Sequence, residues 1–427
     1  MSSSGRTIRY DHSALRWVSH LVVTCLLWLT FVSDVSAHGE RAQLASMRMR
    51  TIHWFDIQVH KTEMKVGELV TITGKFIPSE HWPKHLGGVE DAVYLNVGVP
   101  GPTFIRLESS INGVPMIRST SLEKGKLYEF EMQLRARIPG NYHLHPLLNV
   151  RDVGTLVGKG AWVRVEDIDE PVTFVNEVET MQGEVIDLET YGVETVKIWH
   201  AIWIVLGLAY LVFWLIRREM FIPRYMQTKQ AIESGENPND IITRRDFMVT
   251  AGFFTVTLTL ILTGYLYTDY KYPLTIPLQT GNVSVTGIDI PAGPLRVDLN
   301  RASYELGGRS LTLEMQMTNS GLLPIQLTEF ATANIRFMNP EAPATMPVYP
   351  DEEMVAANGL EIANGVIEPG QTIDVKLVAS DSLWETQRMT GLIHAPDSRF
   401  AGLLFYQDTN GEQYFQEVGG TIVPSFF

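Results

Sequence analysis

Strict alternation of apolar and polar residues marks two long stretches of the chain. In residues 39–168 it runs through 69–76 (LVTITGKF), 94–97, 128–134 (YEFEMQL) and 161–165 (AWVRV). Successive side chains of a strand point to opposite faces, so this period predicts strands with one buried face. Turn signals punctuate them at Asn112-Gly113, Lys124-Gly125 and Pro139-Gly140. Many short strands so spaced predict a sandwich or a barrel. Residues 280–427 show the pattern again, at 311–317 (LTLEMQM) and 373–377 (IDVKL), with a hairpin signal at Asp408-Thr409-Asn410-Gly411. They predict a second β domain, an immunoglobulin-like or cupredoxin-like sandwich.

Between the two the pattern changes. Residues 169–197 are acidic and carry no sustained period, which predicts a linker. Residues 199–216 and 247–267 are continuous apolar runs about long enough to span a bilayer, which takes ~20 residues. Trp199, Trp203, Trp214, Tyr265 and Tyr267 sit where interfacial aromatic belts belong. Arg217, Arg218, Arg224, Lys229, Arg244 and Arg245 lie between the runs, which predicts a cytoplasmic loop. The Arg244-Arg245 pair resembles a twin-arginine export signal, but it is internal and follows a first span.

Residues 1–37 read as a secretory signal. Arg6, Arg9 and Arg16 precede an apolar core at 21–32 that is too short for a span, and Val35-Ser36-Ala37 offers small residues before a cleavage point. Cleavage after Ala37 makes His38 the first mature residue. Signal and loop charge agree: both β domains are expected on the periplasmic side of the cell (inner or intracytoplasmic) membrane.

Composition narrows the function. The chain has 427 residues and a formal charge of −14, which argues against nonspecific nucleic-acid binding. The one cysteine, Cys25, falls in the leader. A mature chain without thiols excludes disulfide scaffolds, Cys-ligated zinc, iron–sulfur clusters and thiol catalysis. No P-loop, nucleophile-elbow or H-E-x-x-H motif is present.

One constellation carries chemistry: His38, His143 and His145. An N-terminal His offers its α-amine and an imidazole nitrogen to one ion. His143-Leu144-His145 on a strand projects both imidazoles from one face. Four nitrogens without a thiolate favour Cu(II), with zinc as the competing ion. An H-x-H pair alone is more often incidental than not; together with a His at the cleavage point it is far more specific and marks a copper site. His60, His81 and His85 read as solvated. His53 reads as a hydrogen-bonded surface residue or a ligand of a second site.

At these residues the chain resembles the B-type subunits of the particulate methane and ammonia monooxygenases. The likeness runs from His38-Gly39-Glu40-Arg41 and residues 48–54 (RMRTIHW) through Asn96-Val97-Gly98, the His143/His145 strand, residues 183–189 (GEVIDLE), Phe221-Ile222-Pro223-Arg224 and residues 272–279 (YPLTIPLQ) to residues 397–404 (DSRFAGLL). It covers essentially the whole mature chain in one order.

The resemblance implies a mainly β fold of two cupredoxin-like β-sandwich domains flanking a two-helix transmembrane hairpin. The division expected is a signal peptide at 1–37, a copper domain at 38–168, a linker at 169–197, membrane helices at 198–217 and 247–267, a cytoplasmic loop at 218–246 and a second domain at 268–427. It also implies A-type and C-type membrane subunits as partners in a trimer of ABC protomers, and copper held by His38, His143 and His145. The assembly so implied hydroxylates methane to methanol, or ammonia to hydroxylamine, with O₂. Methane-type chains often carry a second site using the His at position 53 and a His one strand away; here Ile77 stands at the latter position.

Three other readings compete. A stand-alone periplasmic copper carrier and a polysaccharide monooxygenase can each use an N-terminal His, but neither needs the membrane hairpin. The third is a structural or copper-delivery subunit, with catalysis elsewhere in the complex. Methane is weakly favoured over ammonia by His53 and the ending at 422–427 (IVPSFF), and short alkanes also fit.

Overall fold

The computed structural model describes residues 43–169, 172–180, 183–216, 221–237, 240–241, 243–272, 282–305, 309–348, 352–394 and 397–425. The leader and His38 lie outside the described residues. A short helix, α1 (Ala45–Arg50), leads into the first sandwich. Its strands are β1 (Ile52–Val59), β2 (Glu63–Lys65), β3 (Leu69–Pro78), β4 (Val93–Gly98), β5 (Phe104–Ile111), β6 (Val114–Pro115), β7 (Ser119–Thr120), β8 (Tyr128–Ala136), β9 (Gly140–Val150), β10 (Gly154–Val157) and β11 (Ala161–Glu166).

One sheet is ordered β1-β3-β8-β5-β6. The alternation read from the sequence is realised on β8: Tyr128, Phe130, Met132, Leu134 and Ala136 are buried, and the residues between them are not. The facing sheet is ordered β7-β4-β9-β11-β2, with β10 folded onto β9. Inward residues of both sheets form one core, in which Trp54 packs on Phe76 and Phe130 at 5.3 and 5.6 Å. A large side chain taken fully into such a core contributes ~1.5–3 kcal/mol.

Within residues 169–197, strands β12 (Glu177–Glu179) and β13 (Val185–Asp187) pair as a small ribbon. Three helices follow: α2 (Val193–Ile216), α3 (Phe221–Ser234) and α4 (Arg244–Lys271). α2 has 24 residues and α4 has 28, and at ~1.5 Å per residue each exceeds the ~30 Å hydrocarbon core of a bilayer. Their apolar side chains, Leu208, Leu211, Leu258 and Leu262 among them, are exposed. The two helices meet where Tyr210 stacks on Phe253 at 4.0 Å and where Gly264 leaves room for the Trp199 ring. Thr243 and Asp246 form a capping box at the start of α4, so Arg244 and Arg245 occupy its first turn.

After α4 the chain does not enter the second sandwich at once. Strand β14 (Asn282–Val283) pairs in parallel with β7, Val285 joins the first core, and Ile288 bridges to Leu127. The second sandwich begins with β15 (Leu295–Glu305) and continues with β16 (Ser310–Asn319), β17 (Ile325–Thr332), β18 (Ile335–Met338), β19 (Val355–Ala356), β20 (Leu360–Ala363), β21 (Val366–Ile367), β22 (Thr372–Ser380), β23 (Arg399–Asp408), β24 (Gln413–Thr421) and β25 (Val423–Ser425). Its sheets are ordered β20-β22-β16-β15-β25 and β19-β18-β17-β23-β24. Two β-sandwiches flanking a helical hairpin make up the fold class anticipated.

The sandwiches are packed together. Phe55 and Ile77 of the first meet Ala331, Met346, Leu403 and Phe405 of the second in one apolar cluster. Before β1, Arg48 donates to the Gln387 carbonyl, and Arg50 pairs with Asp397 at 3.1 Å. The segment entering the first sandwich is thus held by the second.

Candidate metal centre

His143 and His145 lie on β9, on the face opposite the fully buried Leu144. Their rings are 4.3 Å apart and nearly perpendicular, at 87°. The sequence motif therefore becomes a real pair of adjacent imidazoles.

His145 would stand on an outer sheet face, yet it is only 5% exposed. Gly160, just before β11 and beside His145, explains this. A Cβ on Gly160 would lie 2.6 Å from both Cε1 and Nδ1 of His145, so only glycine lets the backbone come this close. The turn before it supplies a further contact: Nδ1–H of His145 donates to the Gly158 carbonyl at 3.0 Å. A carbonyl only accepts, so the neutral ring carries its proton on Nδ1 and presents the Nε2 lone pair. Metal-binding histidines are commonly oriented in this way.

His143 is framed differently. Trp162 faces it across the β9–β11 ladder, with the rings 4.9 Å apart. The Trp162 indole N–H donates at 2.7 Å to Oε1 of Glu353, and Oε2 of Glu353 is 4.0 Å from Nε2 of His143. Glu353 belongs to the second sandwich, so the surroundings of His143 span both domains.

The Gly158–Gly160 turn is tied to the second sandwich too. Lys159 between the glycines pairs with Glu352. Glu352 also accepts from Arg336 at 3.2 Å, and Arg336 grips the fully buried Glu329 through two bonds of 2.9 Å. Arg336 donates further to the Pro347 and Met346 carbonyls at 3.0 and 3.1 Å. Such buried charges are tolerable because every partner is matched by opposite charge or backbone.

Among the described residues, no set of three His, Cys, Asp or Glu side chains is arranged to hold a metal ion. Two of the three expected ligands are together; the third, His38, lies outside the described residues. The pair itself suits a nitrogen-ligated ion: two neighbouring imidazoles, at least one in a fixed tautomer, and no thiolate.

The other histidines sort themselves. His53 is buried, and its cross-strand neighbour on β3 is Ile77. Its Nε2–H donates at 2.8 Å to Glu417 of β24, so here it serves a hydrogen bond between domains. His81 is not solvated as expected: it packs against Gly419, where a Cβ would fall 2.4 Å from its Cδ2, and burial holds its pKa below the ordinary value. His60 is exposed and contacts the Thr73 hydroxyl at 2.9 Å; His85 is exposed, 3.9 Å from Asp397.

Sequence reasoning missed Gly158, Lys159, Gly160, Trp162 and Glu353. The Gly-Lys-Gly interruption just before a strand was a visible signal for close backbone approach; Glu353 gave none.

The family of monooxygenase B-subunit proteins matches residues 39–426. The chain is 39% identical over 398 residues to the particulate methane monooxygenase alpha subunit of Methylococcus capsulatus (Bath), covering 93% of this chain and 94% of that one. The crystal structure of the cupredoxin domain of amoB from Nitrosocaldus yellowstonii aligns with 31% of this chain and 98% of its own, at 16% identity and a TM-score of 0.23.

Proposed function

The chain belongs to the monooxygenase B-subunit family, and from that premise we propose that it is the copper-binding subunit of a membrane-bound monooxygenase. The observation that carries the reading is the adjacent His143 and His145 pair, with the His145 tautomer set by Gly158.

In this reading His38 supplies its α-amine and imidazole, and His143 and His145 supply one nitrogen each. Gln43 favours the arrangement. Its side chain bonds the Thr155 carbonyl and accepts from Val157 N–H at 3.2 Å, immediately before the Gly158 turn. His38 is five residues upstream of that anchor, and at ~3.6 Å per extended residue that segment spans at most roughly 18 Å. Copper, when bound, would supply redox chemistry toward O₂. The chain's own residues orient the His145 imidazole through the Gly158 carbonyl and keep bulk water from its side.

In the same reading both sandwiches stand on the periplasmic side, which the cationic segment between two apolar helices supports. The exposed apolar flanks of the hairpin fit lipid and the A-type and C-type membrane subunits of an ABC trimer. Methane is the preferred substrate, because the relative sharing 39% of its residues is a methane monooxygenase subunit. Copper delivery or scaffolding, with catalysis in the membrane subunits, is the second reading. It is favoured by the single-subunit origin of all proposed ligands and by the exposed hairpin, whose flanks suit other membrane subunits.

The test is copper stoichiometry and Cu(II) EPR of the full-length protein with His143→Ala and His145→Ala. Each is expected to lose the nitrogen-ligated signal. Retention of parental copper by both would sink the site. Turnover of methane, ammonia and butane by the copurified complex then separates the substrates.

A further inference from the structure

We infer that Glu353 of the second sandwich is the positioning carboxylate of the metal centre, holding His143 from its Nε2 side across the domain boundary. The inference rests on the copper reading above and deepens it.

The carboxylate is placed by a hydrogen bond at one oxygen, which leaves the other beside His143. Oε1 accepts the Trp162 indole N–H at 2.7 Å, and a bond to an ionised acceptor is among the stronger kinds. Oε2 then faces His143 Nε2 at 4.0 Å, an electrostatic contact rather than a hydrogen bond. The backbone that carries Glu353 is fixed on either side: Glu352 is locked between Lys159 and Arg336, and Met354 is only 3% exposed.

Trp162 gives a second, independent sign. It is 41% exposed, so core burial does not account for it. Its ring lies against His143 while its N–H fixes Glu353. One exposed aromatic therefore connects the carboxylate to the imidazole it serves. A carboxylate hydrogen-bonded to a ligand histidine orients the ring, and its loss typically costs about 10–100-fold in metal affinity; Glu353, at 4.0 Å, acts through its charge and through Trp162, so the lower end of that range applies.

The two sandwiches thus contribute different things. The first carries the imidazoles; the second carries the negative charge beside them and, through Glu352 and Lys159, the anchor of the turn that orients His145. The metal centre is then a property of the domain pair, and its affinity reports on how the sandwiches are docked.

The experiment uses the full-length protein in detergent, loaded with copper and titrated with a chromophoric chelator. Glu353→Gln keeps an oxygen for the Trp162 N–H and removes the charge. It is expected to weaken copper binding by about 10-fold, the lower end for such partners, and to change the Cu(II) hyperfine splitting, with the thermal midpoint near that of the parent. Trp162→Phe keeps the ring and removes the N–H donor; it should move the spectrum the same way by less. Glu353→Asp should restore part of the affinity. Parental affinity and spectrum in both Glu353→Gln and Glu353→Ala, alongside copper loss in His145→Ala, would overturn this inference alone. If His145→Ala also keeps its copper, the metal centre itself is wrong and the inference falls with it.

Discussion

Glu417 on β24 accepts a hydrogen bond at 2.8 Å from Nε2 of His53 on β1, which joins the two sandwiches by a buried polar contact. The Ser79 hydroxyl and the Glu80 N–H donate to the same carboxylate. Burial alone would raise the Glu417 pKa, but the His53 bond and charge and the two further donors outweigh it and hold the value at about 2.

That depression sets a pH dependence of stability. A carboxyl whose folded pKa is lowered stabilises the fold fully above its ordinary value near 4.5, and the contribution is lost as pH falls toward about 2. The shift corresponds to roughly 3 kcal/mol. Thermal midpoints of the full-length protein should fall over that window, and Glu417→Gln should be less stable at neutral pH and flatter below it. Parallel curves for the two proteins would show that the pair adds no pH-linked stability.

The Gly160 position admits no side chain. Gly160→Ala puts a Cβ within 2.6 Å of the His145 ring and 2.8 Å of the Leu144 carbonyl. Backbone or ring must move, at a cost of ~1–3 kcal/mol, and the His145 tautomer bond is strained with it. Copper affinity should drop while Gly391→Ala, where a Cβ meets nothing within 4 Å, leaves it unchanged. Equal affinities in the two variants would remove the close approach from the account of the site.

Much of this architecture was legible because its signals are local. Residues 311–317 alternate, and β16 buries Leu311, Leu313, Met315 and Met317. The His143–His145 spacing needed only the period of a strand. The two apolar runs became α2 and α4, though α4 runs from Arg244 to Lys271, several residues beyond the apolar stretch at each end, because the Thr243–Asp246 cap starts it in polar sequence. What escaped was long-range. Glu353 meets Trp162 across 191 residues, and Glu417 meets His53 across 364. Strand β14 leaves its sequence neighbours to pair with β7, and two residues carry too little pattern to announce it. His81 read as solvated because nothing local reveals that Gly419 would close over it.

Arg336 is the central cation of the buried network joining the sandwiches. Arg336→Met takes the arginine from both Glu329 and Glu352 and leaves Lys159 beside Glu352. Removing one partner of a buried ion pair costs ~3–5 kcal/mol. Chemical denaturation should show that loss, and Arg336→Lys should rescue little, since a lysine lacks the planar fork that contacts both Glu329 oxygens. Wild-type stability in either variant would refute a structural role for the network.

The hairpin topology has a direct readout. Glu233 lies near the end of α3, between the two long helices, and Asn410 sits in the tight connection from β23 to β24. Reporters fused near these positions should give opposite signals: cytoplasmic near Glu233 and periplasmic near Asn410. Matching signals would rule out the two-span arrangement and, with it, the periplasmic copper site.

The last prediction separates the α-amine from every side chain. If the leader is removed after Ala37, N-terminal sequencing of the mature protein should begin His38-Gly39-Glu40. One extra residue placed before His38 then keeps all three imidazoles, the Gln43 tether and the Gly158 turn, and converts the amine to an amide. An amide nitrogen is a far poorer ligand unless it loses its proton, so one of four nitrogens disappears while packing is untouched. The extended protein should therefore keep its thermal midpoint in the metal-free state and bind copper more weakly, with fewer nitrogen couplings in the Cu(II) spectrum. Acidification should weaken the parent more steeply than the extended form, because the parent's amine is one more group for which protons compete. Identical affinity, spectrum and pH dependence in the two proteins would mean that His38 binds through its imidazole alone or not at all, and His143 and His145 would then need a different third partner.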